Sequence, residues 1–316
     1  MSETEEVNPT EKRPQFGNRF LEDDSNVFKH NAWDNVEWDD EQEQTARQAV
    51  EKNSKVLMTE EDLKKYEEKA DEFWDSFYEI HTNRFFKDRH WLFTEFPELA
   101  PDVDAPSRVF SDGTESEVSS SSVPSPGTKR TIFELGCGVG NTILPILKYS
   151  TEKDLKVYGC DFSAKAIEIL KENDEYDPSR CEVFVMDATD AAWKVPFEEN
   201  SIDIIVLIFV LSAIHPDKMK TVAENCSKYL KPGGLLVLRD YGRYDMAQLR
   251  FKPGKCLQEN FYVRGDGTMV YFFTQNEIRS LFEDAGLKEE QNLVDRRLQV
   301  NRGRMLKMYR VWIQAK

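Results

Sequence analysis

The second half of this chain predicts an α/β fold built on a mostly parallel sheet with helices on both faces. Three observations predict it. Apolar strands alternate with helical stretches from residue 130 onward, a glycine-rich turn joins the first strand to its helix, and an acid sits at the tip of each of the next two strands. The pattern predicts strands at 130–135, 156–161, 182–186 and 202–210, with helices at 141–149, 163–172 and 217–230. Lys231-Pro232-Gly233-Gly234 predicts a turn into a strand at 235–239. The end departs from strict alternation, with a strand at Met269 to Phe273, a helix at 275–285 stopped by Gly286, and a last strand at 306–313.

The first half reads differently. Residues 1–26 form a polar, acidic tail, and residues 27–100 a helical and aromatic extension. Trp33 and Trp38 look exposed in their acidic setting. A helix starts at Thr59, with Asp62 at the capping-box spacing and Leu63, Tyr66, Ala70, Phe73, Trp74 and Phe77 at helical intervals. Residues 101–128 read as a linker, with Ser119 to Ser122 consecutive and Pro124, Pro126 and Gly127 following, and residues 129–316 as the main domain.

Of the 316 residues, 40% are hydrophobic, enough for a sizeable core. The net charge of -16 is uneven: residues 1–130 hold 31 acidic against 16 basic side chains, whereas the 22 residues from Asp295 hold seven basic groups against one acid. The average therefore excludes no polyanionic partner. The longest apolar run, Ile202 to Ile214, is broken by Asp203 and Ser212, too short for a membrane span. The acidic start fits neither a secretory nor a mitochondrial leader, and five scattered cysteines fit a reducing compartment, so a cytoplasmic location is expected. Four scattered histidines imply no metal.

The most informative stretch is Ile132-Phe133-Glu134-Leu135-Gly136-Cys137-Gly138-Val139-Gly140-Asn141. Glycines leaving a strand let a ligand approach the backbone. Asn141 breaks the G-x-G-x-x-G spacing of dinucleotide binders. Asp161 follows 21 residues beyond Gly140, placed to accept ribose hydroxyls, and Asp187 ends the next strand, within reach of an adenine amine. Together these resemble class I S-adenosylmethionine-dependent methyltransferases, which are Rossmann-like.

No Asn-Pro-Pro-Tyr or Asp-Pro-Pro-Tyr follows the fourth strand, and no cysteine stands in a Pro-Cys setting. Exocyclic-amine and carbon-5 methylation are thereby disfavoured. A ring nitrogen needs neither device, because its lone pair already lies in the ring plane.

Longer motifs narrow the family. Phe73-Trp74-Asp75-Ser76-Phe77-Tyr78, Asn83 to Leu92 (NRFFKDRHWL), Leu238 to Asp245 (LRDYGRYD), Asn260 to Thr268 (NFYVRGDGT) and Val294 to Gly303 (VDRRLQVNRG) resemble the methyltransferase-like family that makes 3-methylcytidine in RNA. The likeness covers residues 27–98 and 130–314, and is nearest to the cytosolic members that act on cytidine 32 of threonine and some arginine tRNAs. It implies S-adenosylmethionine as cofactor, the tRNA anticodon stem-loop as substrate, and room for an auxiliary tRNA-binding or synthetase-like protein. It also implies that Trp74 and Tyr78 close over the cofactor, that Gly136 and Gly138 line its methionine end, and that Asp161 meets the ribose, Asp187 the adenine and Ile208 the floor. On periodicity alone Trp74 and Tyr78 read as core aromatics.

For the RNA, the candidates are Arg84, Lys87, Arg89, Arg243, Arg250, Lys252, Arg264, Arg296, Arg297, Arg302 and Arg304, each equally open to being an ordinary solvated charge. Phe85, Phe86 and Tyr244 are candidates to stack on a base, with core packing equally open to Phe85 and Phe86. Asp240 is read either as a contact to the cytosine amine or as a loop-structuring acid. His215 is read as a helix-start or wall residue. A protein or small-molecule methyltransferase and a non-catalytic cofactor-binding subunit remain as alternatives.

Overall fold

The computed structural model of the protein describes residues 19–84, 89, 91–99 and 129–316. Phe85, Phe86, Lys87, the linker at 101–128 and most of the N-terminal tail lie outside the described residues.

The chain opens with a two-residue strand β1 (Ala32–Trp33) and helices α1 (Asp40–Ser54), α2 (Glu60–Glu68), α3 (Ala70–His81) and α4 (Leu92–Glu95). Then follow β2 (Arg130–Leu135), α5 (Ile143–Tyr149), β3 (Leu155–Asp161), α6 (Ala164–Lys171), β4 (Cys181–Val185), β5 (Ile202–Ile208), α7 (Pro216–Tyr229) and β6 (Leu230–Tyr241). The remainder is α8 (Met246–Leu249), β7 (Cys256–Gln258), β8 (Phe261–Val263), β9 (Met269–Tyr271), α9 (Gln275–Asp284), β10 (Asn292–Asn301) and β11 (Leu306–Ala315).

The eight-stranded sheet has the order β1-β10-β11-β6-β5-β2-β3-β4. Strands β6 to β4 in that order are parallel, and β11, β10 and β1 extend the sheet antiparallel. Side chains alternate between two cores, as the strand period requires. Ile132, Val157, Ile204 and Val206 face one cluster, and Phe133, Leu135, Ile205 and Leu207 the other. Leu92, Phe93 and Phe96, in and just after α4, complete the first cluster, so the extension supplies part of the main core.

The extension is bound at three more points. Trp33 is buried, with its indole N–H donating to the Val27 carbonyl at 2.7 Å, and packs on Leu298 and Val300 of β10. Trp38 is half-buried, edge-on to Tyr309 with the Arg296 guanidinium over its ring. The expected exposure of both tryptophans is corrected: β10 and β11 supply the cover that a linear reading does not see. Asn53 at the end of α1 donates to the Gln248 carbonyl and accepts from the Tyr262 hydroxyl. That fixes α1 on the separate three-stranded sheet of β7, β8 and β9. The single helix expected from Thr59 is two helices that meet at Lys69, with Thr59 capping the first through the Asp62 N–H.

A buried ion cluster joins the halves. Arg297 of β10 contacts Asp34, Glu95 and Asp295, and Arg239 of β6 contacts Asp295 while lying between the rings of Trp91 and Trp312. Burial alone would lower the Arg297 pKa, but its surrounding carboxylates raise it above the usual arginine value. Arg297 is 3% exposed, so the expectation that it reaches RNA is corrected. It stabilises the junction instead.

Candidate functional site

The glycine turn after β2 is shaped for contact. Gly136 and Gly138 hold φ values of +60° and +51°, which disfavour side chains. A Cβ on Gly138 would stand 2.6 Å from the Tyr78 hydroxyl, and one on Gly136 would stand 2.3 Å from Val210. Asp161 at the tip of β3 orders this turn. Its carboxylate accepts the Gly138 N–H at 2.8 Å and the Ser163 N–H at 2.9 Å. Burial pushes its pKa up to about 6, against those same backbone bonds, which lower it.

Helices α2 and α3 form the opposite wall. Trp74, Phe77 and Tyr78 make one aromatic cluster against Val139 and Ala166. Asp75 docks α3 on α6: its carboxylate accepts the Ser163 hydroxyl at 2.5 Å and the Lys165 N–H at 3.1 Å. Glu67 of α2 reaches Lys218 of α7 at 2.8 Å. Burial raises the Tyr78 phenol well above its usual value, so it remains protonated.

Between these walls lies a cavity of about 470 Å³. Trp74, Tyr78, Gly136, Gly138, Asp161 and Asp187 all line it. Asp187 is exposed, and one of its oxygens accepts the Thr189 N–H at 2.8 Å. Ile208 is buried in the sheet core, and the lining beside it comes from Phe209 and Val210.

The residues expected on the substrate side are dispersed. Asp240 is fully buried; it accepts the Ser212 N–H at 2.9 Å and the Tyr241 N–H at 2.8 Å, and burial raises its pKa to about 6. It is absent from the cavity lining and orders the turn after β5, the loop-structuring role. His215 lines the cavity and caps α7, its Nδ1 accepting the Asp217 N–H. Arg89 is nearly buried and lines the cavity, with Nη1 donating to Thr142 at 2.8 Å and 3.6 Å from Glu134. Arg243 is paired with Glu277, and Arg264 lies over the Tyr241 ring. Tyr244 is half-buried at a φ of +69°. Arg84, Arg302 and Arg304 are exposed, as is Lys252, and Arg250 lies at the exposed end of α8.

Glu67, Asp75, Glu134 and Lys218 were not singled out by the sequence. Glu134 is 1% exposed, and burial raises its pKa to about 8 although Arg89 faces it. Its place one residue before the Leu135-Gly136 step was the available signal. The partners of Glu67 and Asp75 lie far along the chain.

The donors fit an adenosine-bearing cofactor: side-chain-free turn residues, an acid at each of two adjacent strand tips, and an aromatic wall. A sequence profile described as a methyltransferase domain matches residues 133–236. The chain is similar to the tRNA N(3)-methylcytidine methyltransferase Mettl2 of Drosophila melanogaster, 63% identical over 306 residues, covering 96% of this chain and 89% of that one. It is 55% identical to the tRNA N(3)-cytidine methyltransferase METTL2 of Danio rerio over 323 residues, 99% of this chain and 91% of that one. The tRNA(Thr) (cytosine(32)-N(3))-methyltransferase of Saccharomyces cerevisiae is 42% identical over 303 residues, covering 95% of this chain and 45% of that one. S-adenosylmethionine is the cofactor. The chain belongs to the family of tRNA N(3)-cytidine methyltransferases.

Proposed function

We propose that this chain transfers a methyl group from S-adenosylmethionine to N3 of cytidine 32 in the anticodon loop of threonine tRNA, and of some arginine tRNAs. The observation that carries the reading is 63% identity to a tRNA N(3)-methylcytidine methyltransferase across 96% of the chain, lid helices and sheet together. The yeast relative's name supplies the threonine tRNA and position 32.

In this reading Asp161 and Asp187 hold the adenosine, and Trp74 and Tyr78 exclude water above it. The cofactor supplies an electrophilic methyl group. Cytosine N3 is neutral and its lone pair is in plane, so attack needs alignment and desolvation rather than a base. The side chains agree: the Tyr78 phenol is held protonated, and His215 Nδ1 is engaged by a backbone N–H. The target base must leave its stack to reach the cavity. Phosphates fall to Arg84, Arg250, Lys252, Arg302 and Arg304, which lie at the surface and pair with no carboxylate among the described residues.

We place the protein in the cytoplasm, a reading supported by five buried free cysteines. The reading also admits an auxiliary tRNA-binding or synthetase-like protein that delivers the substrate. The test uses threonine tRNA transcripts carrying cytidine or uridine at position 32. Methyl transfer only to the cytidine transcript supports the proposal, and equal transfer to both contradicts it. Full activity of the isolated chain would remove the need for an auxiliary protein.

A further inference from the structure

We propose that Arg89 holds the carboxylate at the methionine end of the cofactor. The order of strand tips sets the direction. Asp187 follows the end of β4, Asp161 ends β3, the Gly136 turn follows β2, and Phe209 and Val210 follow β5, neighbours in that sequence across the sheet. With adenine at Asp187 and ribose at Asp161, the rest of the cofactor runs toward the tips of β2 and β5.

Arg89 stands there. Its backbone N–H donates to the Asn141 carbonyl at 3.0 Å, which fastens it to the end of the glycine turn. Its guanidinium is 5.9 Å from the centre of the Phe209 ring, and it lines the same cavity as Asp161 and Asp187. A side chain 14% exposed, inside a cavity wall, is poorly placed for an RNA backbone.

The guanidinium is under-used. Its single hydrogen bond among the described residues goes to Thr142, and Glu134 stands at 3.6 Å, beyond hydrogen-bond range. An arginine has five donors in a planar fork, which matches a carboxylate in bidentate fashion. The carboxylate is the one anionic group of S-adenosylmethionine, whose sulfonium and ammonium are both cationic.

The inference rests on the cofactor placement proposed above, and two ligands separate them. S-adenosylhomocysteine carries the carboxylate; 5′-methylthioadenosine keeps the adenosine and sulfur but lacks it. Calorimetry on the full chain should show R89Q losing about ten- to a hundred-fold in affinity for S-adenosylhomocysteine while methylthioadenosine binds as in wild type. Unchanged S-adenosylhomocysteine affinity would overturn the proposal and return Arg89 to the substrate. Equal losses for both ligands would also overturn it and leave Arg89 a strut of the wall. If R89Q does not fold, R89K is read by the same ratio, with a smaller selective loss expected because the charge stays and the fork is gone. D161A should weaken both ligands alike. No loss there would refute the cofactor placement rather than the role of Arg89.

Discussion

Replacing Asp161 by asparagine separates what this residue does for binding from what it does for folding. Burial raises its carboxyl from 3.8 to about 6. At about 1.4 kcal/mol per unit, keeping it ionised at neutral pH costs the fold about 3 kcal/mol. The sign follows from proton counting. Between those two values the native state holds a proton that the unfolded chain has released. The group's contribution to stability is therefore full below 3.8 and is lost as pH rises through 6. A neutral amide removes that cost. It also keeps one acceptor for the Gly138 or Ser163 N–H and turns its NH2 toward the other, leaving a buried donor unpaired at about 1–3 kcal/mol. The two effects oppose each other with similar size. Asp161→Asn should thus melt within about 5 °C of wild type at neutral pH. Binding has no such compensation. Ribose hydroxyls donating to a carboxylate are worth about 1.5–3 kcal/mol, so S-adenosylhomocysteine affinity should fall about ten- to a hundred-fold. Wild-type affinity should weaken as pH drops below about 6, and the variant's affinity should be flat across that window. Calorimetry from mildly acidic to neutral pH, beside a thermal melt, reads all three. Unchanged affinity would refute the assignment, as would a melting temperature lowered enough to explain the loss.

Three further sets of variants probe the walls and the RNA face. Glu67→Gln breaks the Lys218 contact across the cavity; the pair is partly exposed, so cofactor release should quicken only a few-fold in stopped-flow traces, and the swap of Glu67→Lys with Lys218→Glu should restore it. Asp75→Ala removes the acceptor for Ser163 and Lys165, costing about 1 kcal/mol and opening α3 to limited proteolysis; a wild-type digestion pattern would contradict the docking role. Arg297→Met takes the shared cation from Asp34, Glu95 and Asp295 and should cost about 3–5 kcal/mol in urea, whereas Arg302→Glu should leave stability unchanged and weaken tRNA binding with a shallower salt dependence.

The glycine turn, Asp161 at the end of β3 and Asp187 just past the end of β4 were legible in sequence because their spacing is local: each acid stands at the tip of a strand that follows a helix. Trp74 and Tyr78 needed a resemblance, since aromatic residues at helical intervals read equally as core. Strand β10 was hidden for a physical reason. Its Asp295, Arg296 and Arg297 are consecutive charges, and the buried face carries Asp295 and Arg297 paired within the fold, so apolar alternation is missing. Helix α1 was hidden likewise, because only Ala46 and Asn53 of its 15 residues are buried. Arg89 and Arg297 were read as RNA contacts by their charge, and burial against carboxylates brought from distant segments places both inside the molecule.

The atom that is methylated decides between the proposed function and its alternatives. The most direct measurement is methyl transfer by the purified chain to total tRNA from cells lacking this modification, followed by mass spectrometry of the nucleosides. 3-Methylcytidine is the expected product, abolished together with cofactor binding in Asp161→Ala. A methylated cytidine of any other kind, or a methylated non-RNA product with tRNA left unmodified, would contradict it.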